Sequence, residues 1–196
     1  MNQITFIFKG GRLERLLAIK KGSSPSDFFY GSYELKIKNY KLKFISINNI
    51  RLNKFLKFYE FILSNINKLG ITKILFKSIK EEINSSKLII SFTDGLSLSL
   101  GYLKNKNVKT LGCFHSLSDL ENKSNKIIRP WSRYLIKKSL DGLDHVAFFG
   151  PKDRDFAIKR YGLKKEKTSI IVFGVDIKFW KPTRKHPKNY FFSLGQ

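Results

Sequence analysis

The chain has 196 residues, of which 42% are hydrophobic and 14% aromatic, enough apolar material to bury one sizeable core and too much for a disordered segment. Its 38 Lys and Arg against 15 Asp and Glu leave a formal charge of +23, which favours an anionic partner: nucleic acid, an anionic membrane surface or a phosphorylated ligand. A single cysteine, Cys113, excludes an internal disulfide, and no Cys/His group has metal-ligand spacing.

A bias toward Lys, Asn and Ile running through the whole sequence is an equally good source of the charge, with most lysines simply solvated. No apolar run approaches the ~20 residues a spanning helix needs. The opening MNQITFIFKGGRLER has neither a basic start nor a small-residue cleavage site, and reads as an unprocessed cytoplasmic beginning.

Short runs of Ile, Val, Phe and Leu recur with room for a helix between them. The predicted strands are 3–8, 42–47, 87–93, 108–114, 145–149, 168–173 and 190–195. Several are apolar on both faces, which predicts an α/β fold: a parallel sheet covered by helices on both sides.

Four helical patterns stand out. The first runs from Leu52 to Leu69, with Phe55, Leu56, Tyr59, Ile62, Leu63 and Ile66 at helical spacing and Lys54, Lys57 and Glu60 on other faces. A second spans 94–104, opened by Thr93 or Asp94 as a cap. A third spans 125–140, and a fourth starts at Pro151 and stops near Gly162. The stretch around LERLLAIKKGSS reads as a basic loop, and KPTRKHPKN, 181–189, as a linker.

In an open α/β sheet ligands bind beyond the carboxyl ends of the strands. The residues at those places are Gly10 and Gly11, Asp94, His115 and Ser116, Gly150, and Gly174 with Asp176. Glycines there permit close approach of the backbone to a phosphate or sugar. His115 can donate to a sugar hydroxyl or phosphate, or stabilise charge near neutral pH. For Asp94 helix capping is the preferred role. No third glycine completes GxGxxG, no P-loop lysine follows, and TDGLSLSLG lacks GxSxG, so nicotinamide, ATP and hydrolase sites are not indicated. His145 and His186 read as structural and solvated respectively.

Residues 144–182, DHVAFFGPKDRDFAIKRYGLKKEKTSIIVFGVDIKFWKP, resemble the interdomain region of retaining GT-B-type glycosyltransferases, family 4-like, which have two Rossmann-like domains. The matching residues are Tyr161, Gly162, Gly174, Val175, Asp176, Phe179 and Pro182 in order, while Phe173 and Gly150 depart from the common pattern. Gly10 and Gly11, the segment 25–35 and the strand bearing His115 stand where that family has its glycine-rich loop, first helix and sugar-contacting histidine.

The resemblance implies the following organisation. Residues 1–180 would form the acceptor-side Rossmann-like domain, 181–189 the linker, and 190–196 the first strand of a truncated donor-binding domain. It further implies sugar transfer with retention from a nucleotide-sugar donor to a glycan or lipid-linked acceptor, without metal or cofactor. The fragment alone would be inactive, because the family's donor-binding residues lie in the second domain.

Lys54 and Lys57, with Arg129, Arg133 and Lys137 around Trp131 and Tyr134, are candidate contacts for an anionic surface such as the inner face of a membrane, although core-facing apolar stripes with solvated basic backs are the slightly preferred reading of both segments. The alternative to an enzyme is a basic α/β module that binds nucleic acid or another anion without catalysis. No nucleic-acid-binding signature accompanies the charge, and nucleic acid is not the expected partner.

Overall fold

The computed structural model describes residues 2–32, 35, 39–47, 53–58, 61, 68–72, 79–103, 107–124, 126–172 and 174–180. Six strands form one all-parallel sheet: β1 Asn2–Phe8, β2 Tyr40–Ser46, β3 Leu88–Ser91, β4 Lys109–Phe114, β5 His145–Phe148 and β6 Thr168–Ile170. Each of these six was expected from its apolar run. The linker and closing strand expected over 181–196, and most of the helix expected over 52–69, lie outside the described residues.

The strand order is β2-β1-β3-β4-β5-β6. Progress across the sheet therefore reverses between β1 and β3, giving a doubly wound, Rossmann-like arrangement in the second of its two common orders.

Alternation along the strands sends side chains to two separate cores. Ile7, Ile89, Phe114, Val146 and Phe148 face one side. They pack under helices α3 (Asp94–Leu100), α5 (Arg129–Gly142) and α6 (Pro151–Tyr161), which contribute Leu98, Ile136, Leu140 and Ala157. Ile4, Phe6, Phe8 and Cys113 face the other side, with Phe29, Phe92 and, from α1 (Arg12–Lys20), Leu16 and Ile19. This second core is aromatic: Phe6, Phe8, Phe44 and Phe92 stack with ring centroids 5.3–6.2 Å apart. Two short helices complete the frame, α2 (Lys80–Asn84) and α4 (Leu117–Lys123).

Four expectations are corrected. The basic stretch after Gly11 is helix α1, because Leu13, Leu16 and Ile19 give it a partly buried apolar side in spite of its charge. The first helix therefore precedes the 25–35 segment, in which Asp27–Phe29 forms only a 3-10 turn. The helix expected over 125–140 is α5, which starts at Arg129 with Pro130 in its first turn; α4 precedes it as a separate element. Asp94 does not cap α3: Thr93 holds that position without a side-chain bond, and the Asp94 carboxylate reaches across to the backbone N–H of His115, just past β4.

Helix α6 runs as expected, from Pro151 to a stop at Gly162, whose φ of 68° is the left-handed geometry glycine adopts without strain. Helices α3 and α5 approach so closely that a Cβ on Gly142 would lie 1.9 Å from the Gly101 carbonyl oxygen. Buried serines line this seam, and Ser139 Oγ donates to the Leu98 carbonyl at 2.7 Å.

Candidate functional site

The carboxyl ends of β1, β3, β4 and β5 bring four side chains together around His115. β4 ends at Phe114, and His115 continues its alternation toward the aromatic core side. Its Nε2 lies 3.0 Å from the Tyr30 hydroxyl. Its ring lies 4.4 Å from that of Phe149, the residue after β5, and 5.6 Å from that of Tyr30. Its backbone N–H donates to Asp94 Oδ1 at 2.7 Å, and the same oxygen is 3.9 Å from Nδ1. Arg12, the first residue of α1 after the glycine pair, holds its guanidinium 5.7 Å from the centre of the Tyr30 ring.

Tyr30 is held unusually. It closes the Asp27–Phe29 turn at φ 50°, the left-handed region that costs an L residue ~1–2 kcal/mol. The conformation lets its ring stack on Phe92 at 4.8 Å while the hydroxyl reaches His115. Strain of this kind at a strand-end cluster is a recurrent mark of a working site.

Burial lowers the His115 pKa, and the Arg12 charge acts in the same direction while the Asp94 carboxylate opposes both. Burial raises Asp94, opposed by the His115 backbone N–H and imidazole. His115 is thus held as a neutral imidazole at neutral pH, able to donate from one ring nitrogen and accept at the other.

Beside this cluster opens a cavity of about 350 Å³, walled by Ser26, Tyr30, Phe149, Ile171, Gly174 and Asp176 among others. Its volume falls in the ~300–1,000 Å³ range of small-molecule sites. Two carboxylates fix one rim. Asp176 Oδ2 accepts from the Ser26 N–H at 3.0 Å and the Ser26 hydroxyl at 2.9 Å, and its Oδ1 accepts from the N–H groups of Lys178 and Phe179. In return Asp27 accepts from the Asp176 N–H and, at 2.6 Å, from Trp180 Nε1. These bonds hold Asp176 below the ordinary carboxylate range.

The residues expected from sequence fall into three groups. Asp94 and His115 touch directly, and Gly174 and Asp176 share the cavity whose walls Tyr30 and Phe149 supply. Gly10 and Gly11 lead into Arg12, with Gly11 at φ 81° and open space where a Cβ would stand. Ser116 donates its hydroxyl to Asp119, while its backbone N–H helps to hold the Asp94 carboxylate.

The expected anion contacts are dispersed. Lys54 and Lys57 are exposed on the 54–58 helical turn, beside Phe55 and Phe58, which are exposed as well. Arg133 is bound to Glu121 Oε1 at 2.6 Å, and Lys137 to Asp141 and the Tyr161 carbonyl. Arg129 lies partly buried against the Ser124 carbonyl. His145 bonds Ser169, and His186 lies outside the described residues.

Arg12, Ser26, Asp27, Tyr30 and Phe149 were not singled out from the sequence. Only Arg12 carried a signal, its place directly after the glycine pair. Among the described residues no helix is long and apolar enough to cross a membrane, and no group of His, Cys, Asp and Glu is arranged to hold a metal ion. No family model matches the chain, and no curated protein matches it.

Proposed function

We propose that this chain forms the acceptor-side half of a retaining, nucleotide-sugar-dependent glycosyltransferase, with His115 in its cleft. One observation carries the reading: a neutral imidazole, a phenol, a carboxylate and a guanidinium meet at the carboxyl edge of a doubly wound sheet, beside an open cavity with aromatic walls. The aromatic walls that Tyr30 and Phe149 give the cavity suit the apolar side of a sugar. The imidazole suits its hydroxyls, because a neutral ring both donates and accepts. Arg12, next to the open glycine turn, suits a phosphate oxygen. The order of glycines and aromatics from Tyr161 to Phe179 adds the sequence resemblance to this support.

Transfer itself would need the donor-binding half that the resemblance puts in a second domain. The test is consumption of nucleotide sugars by a protein extended past Gln196, alongside its His115→Ala variant. Turnover that falls at least about a hundredfold in the variant is the expected result for a group acting on the reacting hydroxyls. An extended protein inert toward every donor, or a His115→Ala variant as active as the parent, overturns the reading. Tight, salt-sensitive binding of nucleic acid without turnover would replace it with the basic binding module.

A further inference from the structure

Helix α5 fills its inward face with Ser132, Ile136, Ser139 and Leu140, all buried. Its aromatics point outward: Trp131 is 58% and Tyr134 53% exposed, and Ile127, just before the helix, is 86% exposed. With Lys138 these residues recur at steps of four, three and four, which is one stripe along a helix. The Trp131 and Tyr134 rings stack 5.6 Å apart, and Lys138 Nζ stands 5.7 Å from the Tyr134 ring centre. Core packing does not require this stripe, since the buried side of α5 is already filled.

Charge accompanies the aromatics. From Asn122 to Leu140 the sequence has six Lys and Arg and no Asp or Glu. Arg133 and Lys137 are engaged with Glu121 and Asp141, whereas Lys123, Lys126 and Lys138 are exposed. We infer that the outward face of α5 docks on an anionic lipid bilayer, with Trp131 and Tyr134 at headgroup depth and the lysines on lipid phosphates.

The favoured occupant follows from the composition of the stripe. Trp and Tyr are the side chains that settle at the membrane–water boundary, where the ring is in an apolar setting and its polar end stays wet. Lysines beside them gain from the negative surface of the leaflet and lose that gain with salt. A chain of charge +23 is drawn to such a surface before any contact forms. Phe55 and Phe58 beside Lys54 and Lys57 repeat the same chemistry elsewhere on the chain. The inference stands apart from the glycosyltransferase reading, because vesicle binding needs neither donor nor acceptor.

The chain has two tryptophans, so Trp180→Phe leaves Trp131 as the sole indole reporter. The 196-residue protein is mixed with vesicles of phosphatidylcholine alone or with half phosphatidylglycerol, and partition is measured by co-sedimentation. Expected are preference for the anionic vesicles, a blue shift of Trp131 emission, and quenching by lipids brominated near the headgroup. Trp131→Ala with Tyr134→Ala lowers the partition coefficient by at least about tenfold. Lys126→Gln with Lys138→Gln lowers it roughly thirtyfold at low salt. All four side chains are exposed, and matched thermal unfolding of each variant checks the fold.

Equal binding to neutral vesicles overturns the inference. So does a double aromatic variant that binds like the parent, or Trp131 emission that stays put while the protein sediments, which means adsorption by another face. Trp131 emission that responds to single-stranded RNA and not to vesicles assigns the stripe to nucleic acid instead.

Discussion

Replacing Glu121 with Gln removes a carboxylate that joins three helices. Glu121 lies on α4, directly downstream of His115, and is 4% exposed. It accepts from Arg133 Nε of α5 at 2.6 Å, from Arg160 Nη2 of α6 at 2.7 Å and from the Tyr161 hydroxyl at 2.7 Å. Burial alone would lift its pKa, but Arg160, Tyr161 and Arg133 together hold it at about 2.

Removing one member of a buried ion pair typically costs ~3–5 kcal/mol. Here the arginine side chains are 41% and 37% exposed, so water recovers part of their solvation, and the expected loss is about 2–3 kcal/mol. With a urea slope of about 2 kcal/mol per molar, the midpoint at pH 7 falls by roughly 1–1.5 M.

The sign with pH follows from a folded pKa below the ordinary 4.5. The carboxylate's contribution is complete above 4.5 and disappears as pH falls through about 2, so the gap between parent and variant closes over that interval. Urea unfolding of both proteins at pH 7, 4.5 and 2.5 reads it directly. A variant whose midpoint stays within about 0.3 M of the parent at pH 7, or a gap unchanged at low pH, refutes the reasoning.

Other expected outcomes test the seam, the cluster and the rim. Gly142→Ala drives a Cβ to 1.9 Å from the Gly101 oxygen and should cost more than about 3 kcal/mol, while Gly162→Ala meets open space and pays only for its left-handed φ, about 1 kcal/mol. Thermal unfolding of the two variants gives the order, and the reverse order contradicts the close α3–α5 approach. By NMR the His115 ring should titrate below the ordinary 6.5, moving up in Arg12→Gln and further down in Asp94→Asn; shifts of the same sign would contradict the placement of the two charges. Because the folded state lowers this pKa, the imidazole's share of stability is present above 6.5 and declines as pH falls, which pH-dependent unfolding of parent and His115→Gln compares. Asp27→Ala frees Trp180 Nε1 and the Asp176 N–H, so limited proteolysis within 174–180 should accelerate and Trp180 emission should shift to the red; an unchanged digest counts against the rim.

The sheet was legible because its information is local. Runs such as ITFIF and HVAF are apolar on both faces, and Pro151 and Gly162 punctuate α6 within eleven residues. Helix α1 was hidden because its charged residues, among them Arg12, Glu14, Arg15 and Lys20, mask a thin apolar side that is only half-buried even in the fold. Asp94 looked like a cap because sequence shows only the helix that follows it, whereas its oxygen is taken by the backbone N–H of His115, just past β4 and 21 residues away. Tyr30 and His115 are 85 residues apart, and Asp27 and Trp180 are 153 apart. No periodicity carries pairings of that kind. The basic repeat on α5 does not by itself show, for the same reason, that Arg133 finds Glu121 on a different helix.

The opposing pulls on His115 explain why sequence position alone leaves its role open. A strand-end histidine beside a lone carboxylate would be drawn toward the imidazolium form, and in a chain of +23 it would become one more cation. Burial against Phe149, together with Arg12, tips the balance the other way, while Tyr30 fixes the ring through Nε2. Asp94 is pinned by the His115 backbone N–H, so it orients the strand end whether or not it also holds the ring. A neutral ring held from both sides can exchange a proton with a bound hydroxyl without first shedding one to water. The same ring, if charged, could only donate. The sheet places the histidine at its edge, and the turn at Tyr30, made at the cost of a left-handed backbone, sets what that histidine can do there.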